Sequence, residues 1–222
     1  MKQPGMPDRL SSRAVGMRIA LSGVAKQFSR EKVFTGVSHV FEAGSRTAVL
    51  GPNGSGKSTL LQVVAGAYVP TQGTVEHAIE GRKVDQEDVY RLVSIAAPYL
   101  DLYDDLSLEE ALTMHARFKS FRAGITVPGV ARAAYLEPHM AKPVSYFSSG
   151  MKQRLKLALA ILSDTPLLLL DEPATNLDTE GIEWFRKLLL EHAEGRTLLV
   201  ASNRQAEETF ACTASVEIGK WK

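Results

Sequence analysis

The sequence predicts an α/β fold with a mostly parallel sheet, interrupted by a helical insert, and three observations carry that prediction. The run SRTAVL, 45–50, leads into a glycine-rich turn and then into STLLQVVAGAY, whose Leu60, Leu61, Val63 and Val64 recur at helical spacing. That is a strand, loop, helix unit. Pro166 is followed by Leu167 to Leu170, an unbroken apolar run of the kind a central parallel strand needs because both of its faces are covered. Between the two, helical segments dominate from about Asp104 to Thr165.

Taken in order, RIALSGVAKQF from Arg18 and VSHVFEAG from Val37 read as two strands ahead of SRTAVL, since apolar residues alternate with small or polar ones. After the first helix, LVSIAA at 92–97 reads as a further strand. The helical stretch opens with Ser107 and, three residues on, Glu110, the reciprocal capping pattern of a helix start. Beyond the leucine run come a helix over EGIEWFRKLLLEH, a strand TLLVA at 197–201, a short helix and a last strand ASVEIGK. The segment 1–14 mixes Pro, Gly, Ser and charge without periodicity and reads as a flexible N-terminal lead-in.

At 222 residues and 45% hydrophobic, the chain can bury a full core, so a small disulfide-stapled fold is excluded. Lys and Arg number 26 against 25 Asp and Glu, a net charge of +1 that offers no global attraction to nucleic acid. Any polyanion must be gripped locally. The single Cys212 cannot form an internal disulfide, and no segment has the length and apolarity of a membrane span or a signal peptide, so a cytoplasmic location is expected.

The grip is the stretch Gly51, Pro52, Asn53, Gly54, Ser55, Gly56, Lys57, Ser58, Thr59, which fits G-x-x-x-x-G-K-[ST] after a strand and at the head of a helix. The glycines let successive N–H groups wrap phosphate oxygens at a helix N-terminus. Lys57 is suited to the β and γ phosphates and Ser58 to Mg²⁺. Nucleoside triphosphate binding is the reading this motif supports; the bland alternative is a glycine-rich turn with an exposed lysine.

The leucine strand ends in Asp171 and Glu172. A hard cation prefers oxygen ligands, which suits Asp171 to the Mg²⁺ shell, and Glu172 is then free to act as general base or to position water. Alone, the pair could equally cap the turn that Pro173 begins. No histidine or cysteine spacing suggests zinc, so Mg²⁺ is the only metal expected.

Between these sites stands YFSSGMKQRLKLALAIL, 146–162, where Ser148, Ser149 and Gly150 precede a long helix-forming run, a second helix N-terminus fit for an anion. With the order of the other motifs, it resembles the signature of ATP-binding cassette ATPases, and the resemblance extends from Met17 to Lys220. It implies a P-loop nucleoside triphosphatase core at 15–97 and 166–222, with an antiparallel β subdomain, and a helical subdomain at 98–165. It also implies ATP with Mg²⁺ as ligands, a head-to-tail homodimer or heterodimer of nucleotide-binding domains, and an integral membrane permease as partner on the cytoplasmic face of the membrane. No nucleic acid partner is expected. By the same resemblance Ser148 and Gly150 face the partner's γ-phosphate, Asp178 crosses the dimer interface, and Phe28 stacks on adenine, although a lone aromatic beside a strand is as readily core.

Two departures bear on chemistry. Where the family carries a glutamine at the junction of core and insert, SIAAPYLDLYDDL places Pro98, which has no amide side chain. Where it carries a histidine near the γ-phosphate, this chain has Asn203, which can hydrogen-bond but cannot become cationic near neutral pH. Slow ATP hydrolysis is the expectation, with Glu172, Lys57 and Asn203 as its agents. Ser202 and Gln205 also fit a plain capping box at the same spot. A soluble assembly ATPase and an ATP-binding switch with very weak hydrolysis are the competing readings.

Overall fold

The computed structural model describes residues 15–222, so the expectation for segment 1–14 lies outside the described residues. Among the described residues nine strands and six α-helices follow in the order β1 (Arg18–Phe28), β2 (Glu31–Phe41), β3 (Arg46–Leu50), α1 (Lys57–Val64), β4 (Gln72–Ile79), β5 (Arg82–Val84), β6 (Val93–Ala96), α2 (Leu108–Phe118), α3 (Val127–Ala133), α4 (Ser149–Leu162), β7 (Leu167–Asp171), α5 (Thr179–His192), β8 (Thr197–Ser202), α6 (Ala206–Thr209) and β9 (Ala214–Glu217). Among the described residues no helix is long and apolar enough to cross a membrane.

Five strands form one parallel sheet in the order β6-β7-β8-β3-β9, and four form an antiparallel sheet in the order β2-β1-β4-β5. Every residue of β7 and β8 is buried, as the leucine run requires. Because strand side chains alternate in direction, Leu168 and Leu170 enter a core with α2 to α5, whereas Leu167 and Leu169 enter a second core with α1 and the antiparallel sheet. The central strand therefore joins two cores. Helices α2, α3 and α4 lie in sequence between β6 and β7, and the capping box at Ser107 is complete: its hydroxyl accepts the Glu110 N–H while Glu110 accepts the Ser107 N–H at 2.8 Å.

The hairpin β4-β5 is an addition to the sequence expectation. Its first strand, QGTVEHAI, is half-exposed and polar, and its local mark is the turn Glu80–Gly81, both with positive φ (50° and 77°). Strand β2 also starts earlier than expected, at Glu31, because Ser29 turns the chain at φ 50°. The capping box expected at Ser202 and Gln205 is only half present. Gln205 N–H does donate to Ser202 Oγ at 3.1 Å, but Gln205 itself precedes the helix and the serine hydroxyl also bonds Glu208.

Arg196 is fully buried and, among the described residues, makes no salt bridge. It donates instead to the Ile161 and Ala160 carbonyls at the C-terminal end of α4 and to Ser94 and Thr165 hydroxyls. Burial lowers its pKa to about 9, and the negative end of the helix dipole offsets part of that cost.

Candidate functional site

The parallel register brings three strand ends level. Asp171 pairs with Ala201, and Ala201 and Ser202 pair with Val49 and Leu50, so the loops after β7, β8 and β3 leave one edge of the sheet side by side. In open α/β sheets ligands bind in the crevice outside these carboxyl ends.

Between β3 and α1 the loop is shaped by glycine where side chains cannot fit. A Cβ on Gly51 would stand 2.6 Å from Ser55 Oγ, and one on Gly56, at φ 100°, would stand 2.7 Å from the Val33 side chain. The result is a bare-backbone cradle at the head of α1. Within it Lys57 is 4% exposed, and its ammonium donates to the Gly51 carbonyl at 2.9 Å and the Pro52 carbonyl at 3.2 Å while lying 3.8 Å from Glu172. Pro52, Asn53 and Gly54 are exposed, and Ser58 and Thr59 half-buried on the first turn.

Asp171 is 1% exposed, and neither carboxylate oxygen has a hydrogen-bond partner of good geometry among the described residues. Burial raises its pKa; the nearby Ser58 hydroxyl pulls it back, Glu172 adds to the rise, and Lys57 opposes it. A buried, unpaired carboxylate next to a serine hydroxyl is a costly arrangement that a divalent cation would relieve, so these residues fit Mg²⁺. Glu172 adopts φ 45° and donates its N–H to the Ala201 carbonyl at 2.9 Å, which turns the chain sharply at the strand end. Asn203 sits just past β8, exposed, on the same edge.

A second group lies apart from this edge. Ser148 caps α4, accepting the Met151 N–H at 3.2 Å, and Asp178 caps α5, accepting the Gly181 N–H at 2.8 Å. With Gly150, Asn176, Arg154 and Tyr135 they line an open cleft of about 250 Å³. The structure thus brings the phosphate-loop residues, Asp171, Glu172 and Asn203 to one edge, and Ser148, Gly150 and Asp178 to another.

Phe28 ends β1 at 41% exposure, so it is not core; Tyr68 meets it edge-on at 5.3 Å between centroids and Lys26 stands over its ring at 4.8 Å. Pro98 is exposed just beyond β6. Its neighbour Tyr99, missed in the sequence, has a phenol whose pKa is raised by burial and by the charge of Asp171. Gln153, one turn into α4, was also missed: its side-chain amide donates to the Pro173 carbonyl at 2.9 Å and ties the signature helix to the loop after Glu172. Only tertiary contact reveals either.

A family model described as ABC transporter matches residues 34–175. A Bacillus subtilis protein, the uncharacterized ABC transporter ATP-binding protein YcbN, is 34% identical over 203 residues, which cover 89% of this chain and 66% of that protein. The Nod factor export ATP-binding protein I of Rhizobium meliloti is 34% identical over 207 residues, covering 87% of this chain and 59% of its own length. This chain therefore spans about two thirds or less of these relatives. A solved structure, the ATP-binding subunit of an ABC transporter, superposes with a TM-score of 0.77 at 26% identity and covers 90% of this chain and 86% of its own. A buried phosphate-loop lysine, an acidic strand end, a capped serine-glycine helix and these matches agree, and the chain belongs to the ABC transporter family as one of its ATP-binding proteins.

Proposed function

We propose that the chain binds Mg-ATP at the strand-end edge and hydrolyses it slowly, as the ATP-binding subunit of a transporter whose membrane permease is a separate partner. The observation that carries this reading is the convergence of buried Lys57, unpaired Asp171 and Glu172 on the level ends of β3 and β7. The backbone from Gly51 to Gly56, with Lys57, Ser58 and Thr59, surrounds the phosphates; Lys57 exchanges its loop carbonyls for phosphate oxygens, a stronger charge-assisted pairing. Ser58 and Asp171 hold Mg²⁺, which would neutralise charge on the phosphate oxygens. Glu172 orients the attacking water and takes its proton, and Asn203 donates one neutral hydrogen bond toward the γ-phosphate. Phe28 supplies a partly exposed ring face for the base.

Two copies, or this chain and a homologue, close head to tail so that Ser148, Gly150 and Asp178 of one meet the nucleotide of the other. The likeness to a Nod factor export protein supports an exporter working at the cytoplasmic face of the membrane. Incubation with Mg-ATP should release phosphate slowly, and Glu172→Gln should reduce release by about 10²- to 10⁴-fold while an ATP-bound dimer accumulates on gel filtration. A wild-type chain that releases no phosphate even with its permease present would sink hydrolysis and leave an ATP-binding switch.

A further inference from the structure

Glu208 belongs to none of the motifs, yet it is 1% exposed and lies within the single turn of α6. Its two oxygens serve two different loops. Oε1 accepts the backbone N–H of Ala174 at 3.3 Å, and Oε2 accepts the Ser202 hydroxyl, whose oxygen in turn accepts the Gln205 N–H. Ala174 stands two residues after Glu172, and Ser202 stands one before Asn203. One buried carboxylate therefore staples the loop of the proposed base to the tip of the proposed γ-phosphate contact.

Both loops need such a staple. Glu172, Asn176 and Arg204 all take positive φ (45°, 63° and 80°) without being glycine, a state that persists only where surrounding contacts over-determine it. Gln153 holds the Pro173 carbonyl on one side of the first loop, and Glu208 holds the Ala174 N–H next to it. An aliphatic side chain of the same volume would fill this place without the cost of burying a carboxylate. Burial raises the pKa of Glu208, with Glu172 and Asp171 adding to the rise, while its hydrogen bonds from Ser202 and Ala174 pull it back. Packing alone does not call for an acid there.

We propose that Glu208 is a positioning residue that fixes the spacing of Glu172 and Asn203, and so acts on the hydrolytic step rather than on nucleotide binding. This rests on the ATPase reading above. The test compares wild type with Glu208→Leu, Glu208→Gln and Ser202→Ala, measuring kcat, KM and the dissociation constant of Mg-ATP alongside amide hydrogen exchange at Ala174. Glu208→Leu should lower kcat by about 10- to 100-fold, as a misplacement near 1 Å does, with nucleotide affinity within about twofold. Glu208→Gln should restore most of kcat, because its carbonyl can accept the Ala174 N–H and its amide can donate to Ser202 Oγ.

Exchange at Ala174 should quicken in Glu208→Leu and stay slow in Glu208→Gln. A kcat for Glu208→Leu close to wild type, or a joint fall of kcat and ATP affinity, overturns the proposal. Should Glu208→Leu not fold, Ser202→Ala decides: it removes one of the two bonds and should lower kcat several-fold at constant affinity, and an unchanged kcat overturns the role. If wild type itself proves inactive, the ATPase reading fails, but Ala174 exchange still reads the staple, and equal exchange in wild type and Glu208→Leu refutes it.

Discussion

The strand-end half of the site and the signature half treat their polar groups in opposite ways. At the strand ends, both oxygens of Asp171 and the Ser55 hydroxyl are buried without a well-aligned partner among the described residues, and Lys57 is held by carbonyls of its own loop. At the signature, Ser148 and Asp178 already satisfy backbone N–H groups of α4 and α5, and Arg154 spans Tyr135, Trp184 and the Asp178 carboxylate. The first half is unfinished chemistry inside the chain. The second is finished locally and lines an open cleft with two helix N-termini, ends that favour negative charge.

Substitutions can break that contrast. The largest effect is expected from Lys57→Ala, which should weaken Mg-ATP binding by about 10- to 100-fold, the worth of a hydrogen bond to a charged group, and reduce phosphate release to background; titration with a fluorescent ATP analogue measures it. Asp171→Asn should do the opposite to stability, making the nucleotide-free protein about 1–3 kcal/mol more stable by removing an unpaired buried charge, while Mg²⁺ dependence of ATP binding is lost. The sign with pH follows from the raised folded-state pKa. As pH rises from the ordinary carboxylate range through that raised value, the unfolded chain loses its proton first, so wild type loses stability through Asp171 there and Asp171→Asn lacks that contribution. Melting curves across acidic pH should show the two proteins diverging, and parallel curves would remove the strain argument.

On the signature side the costs should be structural and smaller. Ser148→Ala should lower stability by about 0.5–2 kcal/mol through loss of the α4 cap, read in urea denaturation; an unchanged midpoint would mean the hydroxyl is not engaged as a cap. Asn203→Ala should be mildest, with stability within about 0.5 kcal/mol because the residue is exposed, and phosphate release lower by roughly 2- to 10-fold at constant ATP affinity. Equal rates in the two proteins would reduce Asn203 to a turn residue.

The parts legible in the sequence are those where one local pattern meets one physical demand. The glycine loop, the leucine strand and the Ser107 cap each state their geometry within a dozen residues. The β4-β5 hairpin was not legible because its strands are half-exposed and the alternation of Val75 and Ile79 is broken at His77, whose ring is nonetheless buried and meets the Val64 carbonyl, on another element, at 2.8 Å. Phe28 could not be assigned to core or surface from one aromatic beside a strand, since exposure depends on whether β2 and α1 cover it. Glu208, Gln153 and Tyr99 were silent for the same reason: each acts through a partner at least twenty residues away in the chain.

The buried Arg196 has a mechanical consequence. By gripping the final carbonyls of α4 it pins that end of the helix to the core, while the other end, with Ser148 and Gly150, lies at the surface. The helix, 14 residues at 1.5 Å each, is about 21 Å long, and one turn from its start Gln153 holds it a second time through the Pro173 carbonyl. Fixed near both ends, the helix does not swing by itself, so a shift of Ser148 and Gly150 carries the loop after Glu172 with it. The arginine at one end and the glutamine at the other make signature helix and acidic loop one body.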